Sequence, residues 1–523
     1  MMFMDWILHN APVLILALPL LAAFATPLVG KLGKWPRNVF VVSVAVIVEA
    51  LVIYLASDVI ANGMHTYVFG AASGILLPSG YSVPVRIIFQ VDAMSVFMAI
   101  ISATVTLAGI VYSWAFVTDK QGQSKYYTLL LMMAVGMFGM EFTGDLFNMF
   151  VFLEILSIAS CALVAFRISF SESSEGALKY MVVSAVGALF VLIAIALLYG
   201  QYNVLNLAAV GSAIQFTALD KIALVLLVSA FAMKCGAVPM HMWTPDAYSA
   251  APAPITMVLV SASQASMYAL FRIAFTLYGV SMNTGAVGWF IIILGVLSMF
   301  IGVTMALPQK DIKRLMAYHA ISQSGYMLLG VGVGLATLGS SAFNEYGLTA
   351  MKGGIFHIIN HAMYKGLLFL TAGAIYYRLN TRNLNKMGGL GHTMKWTAAF
   401  FIIGALAIAG IPPFNGFASK VLIYESVFRF SPLLSIIAML VSVLTLASFV
   451  KVFHSAFMGP RLPEYEGVAK EVPWPMFVAM ALLAAIVVAM GLFPNLIVDN
   501  LVTPAAQALA GRADYLNAVM GGA

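Results

Sequence analysis

The chain has 523 residues, of which 62% are hydrophobic and only 9% are charged. A soluble domain needs a far more charged surface, so this composition excludes a soluble protein and predicts a polytopic membrane protein in a lipid bilayer. The net charge of +6 comes from bases spread through short loops, which indicates membrane topology and not nucleic-acid binding. Cys161 and Cys235 lie in apolar segments without metal-ligand spacing, so we expect no disulfide, metal or iron–sulfur site.

Apolar stretches of about 20 residues, long enough to cross a bilayer, recur along the whole chain. Most lysines and arginines fall in loops on one side, which predicts a multi-pass protein of the cytoplasmic membrane with both termini outside. The long early loop at 58–91 contains β-rich pieces and predicts a hairpin on the outer face. The fold predicted is all-α, with about 14 transmembrane helices at 12–33, 37–57, 92–118, 126–143, 145–167, 175–199, 220–248, 254–279, 287–307, 312–336, 351–377, 394–427, 432–457 and 474–494.

Two of the predicted helices contain prolines at membrane depth. Pro239 follows Lys234, and Pro412 and Pro413 precede Lys420. Prolines there free backbone groups, so both helices are expected to be broken, and broken helices in two corresponding halves are typical of inverted repeats around an ion path. The predicted units are N-terminal helices and an outer hairpin at 1–125, two inverted five-helix repeats at 126–279 and 287–457, and a C-terminal helix and tail at 458–523.

Four ionisable residues stand deep in apolar segments: Glu154, Lys234, Lys365 and Lys420. A charge at a helix centre costs about 2.5–3.5 kcal/mol on insertion scales, so four of them predict a path for a cation, most simply a proton. The alternative is that these charges pair structurally inside the helix bundle. Glu141, by contrast, is expected to be an ordinary charge at the outer mouth of the path.

Four longer motifs carry a resemblance to a known family. They are AMKCGAVPMHMWTPDAYSAAPAPI at 232–255, QKDIKRLMAYHAISQSGYMLLG at 309–330, HIINHAMYKGLLFLTAG at 357–373 and GIPPFNGFASK at 410–420. These segments resemble the antiporter-like subunits of respiratory complex I, of Mrp-type sodium/proton antiporters and of group 4 membrane-bound hydrogenases. The lysine in the last motif makes the chain most similar to the Mrp D and membrane-bound hydrogenase type.

The resemblance implies a role for each of the four deep charges. Glu154 matches the glutamate of the family and Lys234 its partner lysine, so a change in their separation would make Lys234 bind or release a proton. The alternative for these two residues is a static ion pair. Lys365 and Lys420 match the lysines of the second half; Lys365 would pass the proton on, and Lys420 would exchange it with the outer face.

Three histidines and one glutamine complete the candidate relay. His319, His357 and His361 lie near these lysines in sequence, and a free imidazole titrates near neutral pH, although a helix histidine can equally be hydrogen-bonded packing. Gln264, in QASMYALFR, departs from the family pattern, which often has lysine there. Glutamine does not titrate, so the central relay would use water, a neighbouring histidine or another route.

These features together predict a proton-translocating, antiporter-like subunit of a multisubunit redox-driven ion pump. Its partners would be other membrane subunits, and the transported ion would be a proton or sodium. The chain is expected to hold no cofactor, so any oxidoreductase chemistry would belong to partner subunits. Two alternatives are open: a subunit of an Mrp-type sodium/proton antiporter without redox chemistry, and a structural scaffold that does not conduct.

Overall fold

The structure is a computed structural model that describes residues 2–70, 75–76, 82–83, 86–118, 122–167 and 170–520. Its helices are α1 (Met2–Val29), α2 (Lys34–Asn62), α3 (Ala93–Phe116), α4 (Gln123–Phe142), α5 (Leu146–Val164), α6 (Ser171–Tyr202), α7 (Leu207–Ala213), α8 (Ala218–Lys234), α9 (Trp243–Ala250), α10 (Ala253–Phe271), α11 (Thr284–Ala306), α12 (Ile312–Thr337), α13 (Leu348–Leu379), α14 (Lys395–Ala409), α15 (Asn415–Phe430), α16 (Pro432–Phe457), α17 (Trp474–Leu492), α18 (Pro494–Ile497), α19 (Thr503–Ala510) and α20 (Arg512–Met520). Its strands are β1 (His65–Gly70), β2 (Ile75–Leu76), β3 (Ser82–Val83) and β4 (Arg86–Val91). A π-helical segment, Arg272–Tyr278, extends α10.

The helical, multi-pass architecture is confirmed. Every predicted span coincides with one helix or with one pair of half-helices. Within the described part of the chain, ten helices are long and apolar enough to cross a membrane. The other predicted spans are more polar or interrupted helices, so the figure of about 14 crossings stays a prediction.

Aspartates begin several of these helices and explain some of the charges near the membrane surfaces. Asp92, Asp145 and Asp311 each precede a helix, and each side chain accepts a hydrogen bond from a backbone N–H of its first turn. Such caps satisfy donors that have no partner within the helix, and a negative charge is favoured at that end. These carboxylates therefore stabilise helix starts.

The hairpin predicted for the loop at 58–91 is present in the described residues, and its placement on the outer face stays a prediction. β1 pairs with β4 in antiparallel register, from His65 opposite Val91 to Gly70 opposite Arg86. β2 pairs with β3, while residues 71–74, 77–81 and 84–85 of the predicted hairpin lie outside the described residues. His65 also contacts the backbone of His9 on α1. The hairpin and the start of α1 are thus on the same face of the protein.

The C-terminal helices pack on that same face. Arg512, at the start of α20, donates to the backbone oxygens of Thr276 and Leu277, where the α10 extension ends. Asp92, directly after the hairpin, pairs with Arg272 at the start of that extension. Both ends of the described chain therefore lie on one face of the bundle; that this face is the outer one stays a prediction.

Both proline-containing helices are broken, as predicted. α8 ends at Lys234 and α9 begins at Trp243, so residues 235–242 form the first break. α14 ends at Ala409 and α15 begins at Asn415, which gives the second break. Backbone groups freed at such a break need side-chain or water partners. The division of the chain into two inverted five-helix repeats stays a prediction.

Glycines let α11 and α12 approach each other closely. A Cβ atom added at Gly325 would lie 2.4 Å from the Gly295 oxygen, and one added at Gly295 would lie 2.8 Å from the Gly325 oxygen. Small residues at helix contacts are the usual means of bringing two backbones together in a membrane. This contact fixes α12, which carries His319 and Gln323.

Gly325→Ala should destabilise the protein because the new methyl group would strike the backbone of α11. We expect the free energy of unfolding to fall by about 1–3 kcal/mol, the usual cost of overpacking, as measured by denaturant titration in detergent. Gly200→Ala is the control, since nothing lies within 4 Å of a Cβ atom at Gly200. Equal stability of the two variants would contradict the tight contact.

Candidate functional site

The first half of the site consists of Glu154 and Ser157 on α5 and Lys234 at the end of α8. Lys234 is 5% exposed, and its Nζ donates to the Ser157 hydroxyl over 2.5 Å. Ser157 lies three residues after Glu154, so both occupy one face of α5. Among the described residues, Glu154 makes no ion pair with Lys234, and its Oε1 is buried without a hydrogen-bond partner.

The absence of a side chain at Gly187 leaves room for the Lys234 side chain. A Cβ atom at Gly187, on α6, would lie 3.4 Å from Lys234 Cε. Lys234 is also the last residue of α8, where the helix dipole favours a positive charge by about 0.3–1 kcal/mol. The ammonium group is therefore held by a hydroxyl and a helix end, with Glu154 one helical turn away from the hydroxyl.

Lys420 lies on α15, and its side chain reaches back across the second break to the end of α14. Its Nζ donates to the backbone oxygen of Ile408 over 2.8 Å and to the Ser442 hydroxyl over 2.9 Å. Ser442 in turn donates to the oxygen of Ala409, the last residue of α14. Lys420 also lies over the Tyr326 ring, 4.8 Å from its centroid. One carbonyl oxygen near the end of α14 and one hydroxyl thus bind the buried ammonium group.

Three of the predicted residues share one face of α13. His357, His361 and Lys365 are spaced four residues apart, so they lie above one another along the helix. All three are at most 1% exposed. The sequence prediction that these residues act together is consistent with this geometry, which gives a buried polar stripe across the middle of the bundle.

Lys365 and His319 both lie near the ring of Phe449. Lys365 Nζ donates to the Met316 oxygen over 2.5 Å and lies 5.9 Å from the centroid of the Phe449 ring. The His319 ring centroid is 4.9 Å from the same ring. His319 is fully buried, and neither of its ring nitrogens has a hydrogen-bond partner among the described residues.

His357 connects α12, α13 and α15. Its Nδ1 lies 2.9 Å from the Ser419 hydroxyl, and its Nε2 lies 3.2 Å from Gln323 Oε1 and 3.1 Å from the Tyr364 hydroxyl. Ser419 directly precedes Lys420 on α15, so the histidine reaches the residue next to that lysine. His357 is thereby the best connected of the three predicted histidines.

Gln264 lies at the centre of the site, on α10. Its Nε2 donates to the Ile358 oxygen over 2.9 Å and lies 2.9 Å from His361 Nδ1. With this amide orientation, Nδ1 accepts and the proton of a neutral His361 is on Nε2, an atom without a partner among the described residues. Gln264 therefore joins α10 to the α13 stripe by a direct contact with His361.

Several residues of the site were not predicted from the sequence. Ser157, Ser419 and Ser442 are buried or half-buried serines in apolar helices, and serine there is common enough to carry no signal alone. Ser157 lies one helical turn from Glu154, and Ser419 lies next to Lys420. This adjacency to a deep charge could have indicated both serines. Ser442 belongs to a different helix from Lys420, so nothing in the sequence indicated that contact.

A polar cavity of about 380 Å³ opens on the face opposite the termini. Its lining includes Arg167, Lys313, Arg382, Glu172 and Asp311. Arg382 pairs with both carboxylates, with nitrogen–oxygen distances of 2.5 Å to Glu172 and 3.1 Å to Asp311. Gly373 of α13 also lines the cavity, roughly 12 Å along the helix axis from Lys365.

The fold defines a class of multi-pass membrane protein with ionisable side chains buried among its helices. Residues 143–445 match the NADH:quinone oxidoreductase/Mrp antiporter transmembrane family. The chain is 34% identical, over 415 residues, to the D subunit of the Na(+)/H(+) antiporter of Alkalihalophilus pseudofirmus, covering 78% of this chain and 79% of that protein. It is 31% identical, over 514 residues, to the N subunit of the NADH-quinone oxidoreductase of Desulforudis audaxviator, covering 94% of this chain and 98% of that protein.

A solved structure agrees with these relatives. The chain superposes with a TM-score of 0.82 and 26% identity on a chain of the membrane-bound sulfane sulfur reductase, an archaeal respiratory membrane complex, covering 97% of this chain and 99% of that one. The protein belongs to the NADH:quinone oxidoreductase/Mrp antiporter family. The resemblance stated from its motifs is thereby confirmed.

Gln264→Leu should slow ion transport strongly, because it removes the amide that contacts Ile358 and His361. Gln264→Lys should be tolerated, since an ammonium group donates to the same two acceptors. We expect proton flux in membrane vesicles to fall about tenfold in the first variant, the effect of losing roughly 1.4 kcal/mol. Full activity of Gln264→Leu would place the path away from α10.

Proposed function

We propose that this chain is the proton-translocating, antiporter-like subunit of a multisubunit membrane complex. The observation that carries the proposal is that Lys234, Lys365 and Lys420 are all buried, and that each is held by neutral oxygen atoms. No carboxylate forms an ion pair with any of the three among the described residues. A lysine held in this way can lose its proton without leaving an unpaired carboxylate behind.

A static pair between Glu154 and Lys234 is the rival explanation for the first half. It requires a direct contact, whereas Lys234 binds Ser157 and Glu154 Oε1 has no partner among the described residues. Glu154 lies one helical turn from Ser157, which binds Lys234, and the charges of partly buried groups are only weakly screened. This arrangement supports a Glu154 side chain that moves relative to Lys234 and so changes its affinity for a proton.

Unpartnered polar atoms support a path through the centre of the bundle. Buried polar atoms nearly always have a hydrogen-bond partner, and ordered water is the usual one where protein supplies none. Atoms without a protein partner in the described residues line the proposed route: Glu154 Oε1, Gln264 Oε1, His361 Nε2, both His319 nitrogens and Gln323 Nε2. The proton would pass between Lys234 and Gln264 through water, since no hydrogen bond between described residues joins them.

The path would open to water at two places. The 380 Å³ cavity gives access from the face opposite the termini, close to α13. Lys420, at the second break, would exchange protons with the other face, and Lys365 would pass them along α13. His357 and His361 would relay protons through their ring nitrogens, and His319 would serve Lys365 near Phe449.

The parent complex is redox-driven in one version of this proposal and a sodium/proton exchanger in the other. Relatives named for both kinds of assembly cover most of the chain. We favour the redox-driven pump, in which partner subunits carry the electron transfer. Purification of the native complex decides: iron–sulfur or hydrogenase-like subunits support the pump, and only small membrane proteins support the exchanger.

Lys234→Met should stop proton transport and leave assembly intact, because the methionine side chain fills the same space without a titratable group. Lys221→Ala, at the exposed outer end of the same helix, is the matched control. The measurement is ΔpH formation in vesicles from cells whose own copy is replaced by each variant. Wild-type ΔpH in Lys234→Met would refute the relay.

A further inference from the structure

Glu141 is a buried carboxylic acid that the relay described above does not use. It lies near the end of α4 and is 0% exposed, so the prediction of an ordinary charge at the outer mouth is wrong. Its Oε1 accepts a hydrogen bond of 2.6 Å from the Ser102 hydroxyl on α3. Its Oε2 is buried without a partner, and no cationic side chain pairs with Glu141 among the described residues.

Two serine hydroxyls lead from Glu141 to the centre of the site. The Ser102 oxygen lies 3.3 Å from the Ser261 oxygen on α10. Ser261 precedes Gln264 by three residues, so both occupy the same face of α10. Gln264 contacts His361, so polar groups line a route from the α13 stripe to the buried carboxyl group, with a step between Ser261 and Gln264 that no hydrogen bond between described residues spans.

A second polar group connects the Glu141 region to the face that carries the termini. The Tyr268 hydroxyl, one turn beyond Gln264 on α10, donates to the backbone oxygen of Glu141 over 2.9 Å. Arg272 donates to the same hydroxyl over 2.9 Å and pairs with Asp92. The Tyr515 ring of α20 covers Arg272, with 5.0 Å between the guanidinium carbon and the ring centroid.

Burial determines what this carboxyl group can bind. An ionised carboxylate without a counter-charge costs several kcal/mol in such a place, whereas the same group carrying a proton costs far less. The ion pair between Asp92 and Arg272 shows the contrast, because there a cation is built into the site. At Glu141 no such cation is present among the described residues. The cation that costs the least free energy to place there is a proton.

We propose that Glu141, with Ser102 and Ser261, forms a proton-binding site on a branch of the path that runs along α10 from Gln264 towards the face of the termini. The inference rests on the proposed transport function and adds a site to it. Ser102 positions the carboxyl group, and the hydroxyls of Ser102 and Ser261 pass the proton. This branch supplies a titratable group close to the glutamine that stands where relatives often have lysine.

Glu141→Gln tests the site because it keeps the size of the side chain and an acceptor for Ser102 but cannot bind a proton. We expect proton flux in vesicles to fall about a hundredfold, the lower end of the range for positioned acid–base groups, while the complex assembles normally. In the purified complex, the infrared carbonyl-stretch band of a protonated carboxyl group should disappear. Glu425→Gln, which removes an exposed glutamate paired with Arg429, should change neither measurement.

The outcomes separate this inference from the transport function itself. Wild-type flux and an unchanged band in Glu141→Gln, together with lost flux in Lys234→Met, would overturn the branch and keep the relay. If Glu141→Gln does not assemble, Glu141→Asp replaces it, and a shifted carboxyl band supports the site while an unshifted one contradicts it. Loss of the wild-type band on adding sodium at constant pH would show a sodium site and contradict proton binding.

Discussion

The structure depends on hydrogen bonds between buried ammonium groups and oxygen atoms inside an apolar bundle. The two broken helices contribute to binding two of these ammonium groups. Lys234 ends the half-helix α8, and Lys420 donates to the carbonyl oxygen of Ile408 near the end of the half-helix α14. The negative end of a helix dipole favours a cation, so both breaks stabilise charge without any fixed carboxylate.

This arrangement differs from that of Arg272, another buried cation of the bundle. Arg272 is 1% exposed and pairs with Asp92, so its charge is balanced by a permanent partner, and the guanidinium group keeps its proton at any physiological pH. Such a pair ties α10 to the start of α3 and serves structure. A lysine among hydroxyl and carbonyl oxygens has no such partner, and the proposed relay depends on this difference.

The sequence contained enough to predict the helices, the two breaks and the deep charges. Apolar stretches, prolines and charges at membrane depth are local signals, and each of them corresponds to one short segment of the chain. His357, His361 and Lys365 were also predictable as one stripe, because their four-residue spacing follows helix periodicity. The hairpin followed from β-rich pieces in the long loop at 58–91.

The contacts between distant segments could not be predicted in the same way. Gln264 reaches His361, which is 97 residues further along the chain, and Lys234 reaches Ser157 across 77 residues. These pairings depend on how the helices pack and not on local pattern. Glu141 was misjudged for the same reason, since its position near a helix end suggested exposure, whereas α3 and α10 cover it completely.

Proton release through Lys420 tests the central claim most directly, because this residue stands at the far end of the proposed path. Lys420→Ala and the matched exposed variant Arg429→Gln, both on α15, would be compared in sealed vesicles containing the whole complex. The account predicts that Lys420→Ala abolishes proton release on the face of the termini while Arg429→Gln releases protons normally. Normal release by Lys420→Ala would contradict a path that ends at the second break.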